Sequence, residues 1–426
     1  MKDARTAAAQ ALMRMEGAGA YSNLVIDALS AKNGLSPRDG AFAAALFYGT
    51  LERMLTIDHI LARYSAKPLS ALTPAVRASL RMGVCQLLYM DGVDDYAAVS
   101  ESVNLVKSLG CARASGFVNG VLRTFLRDGK AVPPAGGSRA GQLAVDYSCP
   151  AWLVEEWLAS YGEEAALRML AGSLGKAPVY LRANTLRITP EALCERLAAE
   201  GAEAVPAAPP GGCVAVRGRL AVETLSAFAE GLFHVQDRAS QLCAEALGAL
   251  PGERVLDACA APGGKTFTIA ERMENRGEVV ARDLHQKRAD LVAKGARRLG
   301  VSIVTASAGD AGIFDPALGE FDRVLCDVPC SGFGVIRRKP EIKYKPPGSI
   351  QNLPEIQYKI LQTSSQYLRS GGLLVYSTCT LLPAENERVV ERFLAENGGF
   401  GLISQETHTG EREDTDGFFT ACLERR

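Results

Sequence analysis

The chain has 426 residues, 47% of them hydrophobic and 22% charged, with a net charge of −1. That length supports two or three domains with a sizeable core, and so balanced a charge means that any nucleic-acid contact rests on local patches. Eleven cysteines occur without a Cys-x-x-Cys pair and beside only four histidines, which argues against a zinc site and suits a reducing compartment.

The N-terminal stretch carries Lys2, Asp3, Arg5, Arg14 and Glu16, so no signal-peptide core is expected, and no apolar run reaches membrane-spanning length. A cytoplasmic monomer with no membrane partner is expected. Residues 1–130 read as an all-α domain. Ala7 to Met15 is rich in helix formers. Ser36-Pro37 and Thr73-Pro74 read as N-caps followed by proline in the first turn. The first precedes a helix over 41–64, broken near Gly49, and the second a helix over 76–89. Segments 94–109 and 112–126 complete the bundle. This part holds 15 Lys and Arg against 11 Asp and Glu, a net of +4. Arg113, Arg123 and Arg127 are spaced to share a helix face, either as a solvated surface or as an RNA contact. Phe47-Tyr48-Gly49-Thr50-Leu51-Glu52-Arg53 and Asp58-His59-Ile60-Leu61 resemble the NusB antitermination domain, which implies a helical RNA-binding bundle.

Pro133-Pro134 and Gly136-Gly137 mark a linker, placed at 131–143. A small α/β connecting domain is expected over 144–235, with strands near Val179 to Arg182, Cys213 to Val216 and Leu232 to Val235. Trp152 and Trp157 read as core residues.

From Gln236 onward strands and helices alternate. Strands are expected near 253–257, 278–282, 302–306, 322–327 and 372–378, with final strands near 400–403 and 418–423. This is a Rossmann-like, mostly parallel sheet over 236–426. Its first strand runs into Asp257-Ala258-Cys259-Ala260-Ala261-Pro262-Gly263-Gly264-Lys265-Thr266, a strand, tight turn and helix start. Ligands in such sheets bind beyond the carboxyl ends of the strands. Three readings compete: a phosphate loop, a structural turn, and an S-adenosyl-L-methionine loop. The phosphate loop needs glycine where Cys259 stands, and the dinucleotide fingerprint is absent. Acids favour the third. Asp283 ends the second strand, where a carboxylate can accept from a ribose diol. Asp310 follows the third strand and can accept from an adenine amino group, and Asp327 ends the fourth. Two thiols share that edge, Cys330 in Asp327-Val328-Pro329-Cys330-Ser331-Gly332 and Cys379 in Ser377-Thr378-Cys379-Thr380. C5 of a pyrimidine has no lone pair. A thiolate adding to C6 makes C5 nucleophilic, which gives a methyltransferase a use for cysteine. The order of the residues does not say which thiol attacks.

These motifs, with Gln236-Asp237-Arg238-Ala239-Ser240 and Asp416-Gly417-Phe418-Phe419, resemble the Sun/Fmu (RsmB) RNA cytosine-5 methyltransferases of the NOL/NOP2/sun group. The NusB-like segment ahead of them extends the resemblance over nearly the whole chain. It implies methylation of one cytosine in 16S ribosomal RNA of the small subunit. Cys379 would be the nucleophile and Cys330 would assist product release, with Asp327 beside them. Cys259, Ala260, Ala261, Pro262, Gly263, Gly264, Lys265, Asp283, Arg288, Asp310 and Asp327 would surround the cofactor. Arg182 and Asn184 match an Arg-x-Asn segment of such enzymes and are candidates for RNA phosphate contacts. The rival readings are a cytosine-C5 methyltransferase acting on another RNA, such as tRNA or 23S ribosomal RNA, and an RNA-binding assembly factor with a vestigial catalytic half.

Overall fold

The computed structural model describes residues 3–17, 22–218, 221–410 and 415–426. It divides into two compact units, one formed by residues 1–174 and 336–344, the other by 175–335 and 345–426.

The first unit is helical: α1 (Ala4–Gly17), α2 (Ser22–Lys32), α3 (Pro37–Tyr64), α4 (Pro74–Tyr89), α5 (Asp95–Ser108), α6 (Ser115–Arg127), α7 (Arg139–Asp146) and α8 (Ala151–Gly172). Ser36 caps its helix as expected, and Asp94 is a further cap that the expected pair did not include. The Ser36 hydroxyl accepts from the Asp39 amide, and the Asp94 carboxylate accepts from the amides of Tyr96 and Ala97. Thr73 precedes α4 without a side-chain cap bond. The expected break at Gly49 is absent. There α3 runs on because α4 packs close, and a Cβ on Gly49 would lie 3.4 Å from Cys85 Sγ. The expected linker is partly structured: α7 forms within it, and the turn that follows docks on α3. Ser148 Oγ accepts from the Leu55 amide at 3.1 Å, and the Thr56 hydroxyl donates to the Val145 carbonyl at 2.5 Å. Trp157 is buried. Arg113 lies in a short 3-10 turn before α6, so only Arg123 and Arg127, one helical turn apart, share a face.

Residues 336–344 belong to this unit, although they follow the Cys330 motif in the chain. Lys343 is buried and donates to the Glu52 carbonyl at 3.1 Å, with burial pulling its ammonium down to about 8. The Tyr344 hydroxyl donates to the Leu51 carbonyl.

The second unit begins with β1 (Val179–Ala183), α9 (Pro190–Ala199), β2 (Glu203–Pro206), β3 (Cys213–Arg217), α10 (Ser226–Ala229) and β4 (Phe233–Val235). Among the described residues these strands pair antiparallel in the order β2-β3-β1-β4. Then follow α11 (Arg238–Ala246), β5 (Arg254–Asp257), α12 (Gly264–Arg272), β6 (Glu278–Asp283), α13 (Gln286–Leu299), β7 (Val304–Ala308), β8 (Phe321–Asp327), α14 (Leu353–Ser365), β9 (Leu368–Thr378), α15 (Glu387–Glu396), β10 (Phe400–His408) and β11 (Phe418–Arg425). Among the described residues these strands form a seven-stranded sheet, β10-β11-β9-β8-β5-β6-β7, parallel except for the pairs made by β11. Val255-Leu256, Val279-Val280 and Val324-Leu325 are buried, as central strands covered on both faces must be. Strand order reverses at β5, between β6 and β8, so the crevice opens where β5 and β8 end.

Among the described residues no helix is long and apolar enough to cross a membrane. No cluster of His, Cys, Asp or Glu among them could hold a metal ion.

Candidate active site

The site is built on the ends of five neighbouring strands, β9, β8, β5, β6 and β7. Beyond β5, Gly263 adopts φ +111°, and a Cβ there would lie 2.4 Å from the Phe267 ring, so the turn into α12 needs glycine on both counts. The Ala260 amide donates to the Arg282 carbonyl at 2.7 Å, which ties the loop to β6. Cys259 is half-buried and Pro262 exposed, with the loop backbone between them. Thr266 Oγ1 donates to Asp257 Oδ2 at 2.7 Å, while the buried Asp257 Oδ1 has no partner among the described residues. Burial pushes the Asp257 carboxyl up to about 7.

Asp283 closes β6 and is 4% exposed. Its Oδ1 accepts from the His285 amide at 3.1 Å, and its Oδ2 lies 3.4 Å from the Arg288 guanidinium. Arg288 also donates to the Ala261 carbonyl at 3.0 Å, bridging loop and acid. Asp310 stands in the turn after β7, where its Oδ1 accepts from the Gly312 amide at 2.8 Å. Leu284 and Ile313 follow these acids and are 60% and 61% exposed, apolar surfaces that the motif reading did not single out.

At the end of β8, Asp327 accepts from Lys265 Nζ at 2.8 Å and from Ser377 Oγ at 3.0 Å. Burial pulls the Lys265 ammonium down, but the Asp327 carboxylate outweighs it and keeps the lysine charged. Lys265 also lies 4.9 Å from the Phe418 ring centroid. Cys330 and Cys379 come from different strand ends, and their sulfurs are 3.1 Å apart. Both are half-buried. The hydrogen bond to Cys379, then burial, push the Cys330 thiol well up.

The remaining motifs lock these loops. The Gly334 amide donates to the Cys379 carbonyl at 3.0 Å, and the Gly417 amide to the Gly334 carbonyl at 2.8 Å. Asp237 Oδ1 accepts from the Asp416 amide at 3.2 Å. Lys345 Nζ donates to the Ser331 carbonyl at 2.7 Å. Lys345, Gln357, Glu385 and Asn386 were not visible as site residues, because none belongs to a spacing pattern.

The structure does not support Arg182 and Asn184 as RNA contacts. Arg182 is 3% exposed and paired with Glu271 at 3.1 Å and Glu245 at 2.7 Å. Burial raises Glu271 to about 8. Asn184 is fully buried and donates to the carbonyls of Gly231 and Leu299. Both residues fasten the small sheet to the catalytic layer, since an extended strand between two packed layers leaves neither side chain a path to solvent. Arg113, Arg123 and Arg127 are exposed.

Residues 244–424 match the 16S rRNA methyltransferase RsmB/F family, residues 2–127 the NusB family, and residues 149–223 the RsmF/B-like ferredoxin-like domain. A probable ribosomal RNA small subunit methyltransferase B of Bacillus subtilis (strain 168) is 38% identical over 93% of this chain and 89% of its own. The ribosomal RNA small subunit methyltransferase B of Proteus mirabilis (strain HI4320) is 33% identical over 99% and 98%. The crystal structure of PH0851 superposes with a TM-score of 0.84 at 25% identity, covering 99% of this chain and 98% of that one. With its glycine loop, paired thiols and NusB-like bundle, the chain belongs to the 16S rRNA methyltransferase RsmB/F family.

Proposed function

We propose that this protein methylates C5 of a cytosine in small-subunit ribosomal RNA, with S-adenosyl-L-methionine as donor and covalent catalysis by cysteine. The observation that carries the reading is the pair of thiols, 3.1 Å apart, at the strand ends beside the glycine loop. Oxygen and nitrogen acceptors need no such pair. Family membership supports RNA as the partner and the small-subunit RNA as the target. We place the reaction in the cytoplasm, performed by a single chain. Domain limits near 130 and 235 are retained only as trial truncation points.

The residues present fit the donor. Asp283 keeps acceptor capacity for a ribose diol, Asp310 is exposed for an adenine amino group, and the orphaned Asp257 Oδ1 lies beneath the loop. When bound, S-adenosyl-L-methionine supplies an electrophilic methyl group on a sulfonium sulfur. Cys379 as thiolate forms a bond to C6, and the C5=C6 electron pair becomes available at C5. After C5 has accepted the methyl group, a base removes the C5 proton. Those electrons restore C5=C6 as the sulfur–C6 bond breaks and returns the thiolate. Cys330, in contact with Cys379, assists that last stage. The Lys265–Asp327 pair fixes charge at the same edge.

The test is methyl transfer from labelled donor to 16S ribosomal RNA, followed by digestion to nucleosides. 5-Methylcytidine is the expected product. Label on a ring nitrogen or on another base would overturn the reading, as would no transfer at all. Bisulfite sequencing of ribosomal RNA from a strain lacking the gene then locates the nucleotide.

A further inference from the structure

Two consecutive buried residues hold the two cysteine limbs. Glu385 and Asn386, ahead of α15, are 1% and 0% exposed. Glu385 Oε2 accepts from the Ser331 amide at 2.9 Å and from Gln357 Nε2 at 2.8 Å. The same Nε2 donates to the Pro329 carbonyl at 3.0 Å. The backbone on both sides of Cys330 is therefore tied to one side-chain pair. Asn386 flanks Cys379 through one side-chain and one backbone group. Its Oδ1 accepts from the Thr378 hydroxyl at 2.6 Å, and its Nδ2 donates to the Thr380 carbonyl at 3.0 Å. Tyr376 fixes this brace by donating to the Glu385 carbonyl at 2.6 Å. The Ser331 and Thr380 hydroxyls join the limbs at 2.8 Å.

The brace is asymmetric in charge. Asn386 is neutral, whereas Glu385 places a carboxylate one peptide from Cys330, and its buried Oε1 has no hydrogen-bond partner among the described residues. In a site shielded from water such a charge opposes a second anion beside it. We propose that Glu385 and Asn386 are positioning residues: together they set the separation of the thiols, and the Glu385 charge holds the proton shared by the sulfurs on Cys330. The thiolate of the pair is thereby assigned to Cys379. The inference rests on the covalent reading for its use, and the alkylation arm of its test is independent of that reading.

The full-length protein, without RNA or donor, is alkylated with iodoacetamide across a pH series, and the peptides bearing Cys330 and Cys379 are quantified by mass spectrometry. In the wild type Cys379 reacts faster. Glu385→Gln keeps an acceptor for the Ser331 amide but removes the charge, so Cys330 alkylation near neutral pH should rise about fivefold or more as its thiolate fraction grows. Glu385→Asp keeps the charge and should leave Cys330 slow. An unchanged Cys330 rate in Glu385→Gln, or equal acceleration in both variants, overturns the charge assignment. Asn386→Ala should lower kcat about tenfold or more with the donor KM within about twofold, since it misplaces the nucleophile without touching the donor residues. An equal change in both constants would reduce Asn386 to a fold residue. Failure of the covalent reading shows separately, as absence of any RNA adduct with the alkylation pattern intact.

Discussion

Asp283 offers the sharpest test of the donor site. Its carboxylate ends β6 with only 4% exposure, and each oxygen has one neighbour within the protein, the His285 amide and the Arg288 guanidinium. On the proposed reading the remaining lone pairs would accept from the two hydroxyls of a ribose. A hydrogen bond to a charged acceptor is worth about 1.5–3 kcal/mol, which corresponds to a loss of roughly tenfold to 150-fold in affinity per bond. Asp283→Ala also frees Arg288 from its acid, although the bond to the Ala261 carbonyl still holds the guanidinium. Asp283→Asn is the informative partner. It retains an oxygen for the His285 amide, so the turn survives, but it presents a donor where a hydroxyl must donate. Both variants should lose at least tenfold by the lower figure, read by calorimetric titration with S-adenosylhomocysteine at fixed ionic strength. Thermal unfolding without ligand checks that the apo fold is unchanged. An affinity within about twofold of wild type in both variants, less than half a kilocalorie per mole, would remove Asp283 from the site.

Three further outcomes follow from burial. Arg182→Ala removes the guanidinium bonds to Glu271 and Glu245 and should cost on the order of 1.5–3 kcal/mol of stability in denaturant unfolding, with RNA affinity of the folded protein unchanged; lost RNA affinity at unchanged stability would restore Arg182 as an RNA contact. The Asp257 carboxyl is raised to about 7 from an ordinary value of 3.8, so its stabilising neutral form is complete below about 4 and is lost as pH rises through 7. Unfolding free energies at pH 4 and pH 8 should therefore show Asp257→Asn gaining on wild type as pH rises, and a gain in the opposite direction would contradict the burial argument. Gly263→Ala forces a Cβ to 2.4 Å from Phe267 at φ +111° and should cost on the order of 1–3 kcal/mol together with donor affinity; a thermal shift matching wild type would count against the tight loop.

What the sequence discloses and what it hides divide by range. Ser36 and Gly263 act on backbone within a few residues, so their roles show as local patterns. The strand ends at Asp257 and Asp327 are equally visible, because an apolar run stops at an acid; at Asp283 the run stops one residue earlier, at Arg282. Arg182 is different. Its partner Glu271 lies 89 residues away, and an Arg-x-Asn segment looks the same whether it faces phosphate or a buried carboxylate. Residues 336–344 follow a catalytic motif yet pack in the helical unit, where Lys343 meets a carbonyl 291 residues distant. Excising residues 1–130 would remove that partner, so such a truncation alters more than an RNA-binding module. Glu385 and Asn386 escape sequence reading because a brace made of single polar side chains has no period.

The roles of the two cysteines are separable by what each variant leaves attached to RNA. The 3.1 Å contact puts both sulfurs at one place, so proximity alone favours neither as nucleophile. If Cys379 attacks C6, Cys379→Ala forms no bond to RNA and is inactive without trapping it. If Cys330 acts after methyl transfer, by assisting proton removal or expulsion of the thiolate, Cys330→Ala halts with the sulfur–C6 bond intact. Protein then accumulates joined to RNA and migrates as a retarded band on a denaturing gel, and digestion of that band should release the peptide bearing Cys379. The opposite assignment has chemical merit, since a thiol next to proline is held as rigidly as one at a strand end. It requires an adduct with Cys379→Ala and none with Cys330→Ala. The Glu385 carboxylate on the Cys330 side argues against it, because the attacking sulfur must be the one that gives up its proton more readily. Full activity in both variants, with no adduct from either, would end the case for covalent catalysis and leave the thiols as packing residues at the edge of the sheet.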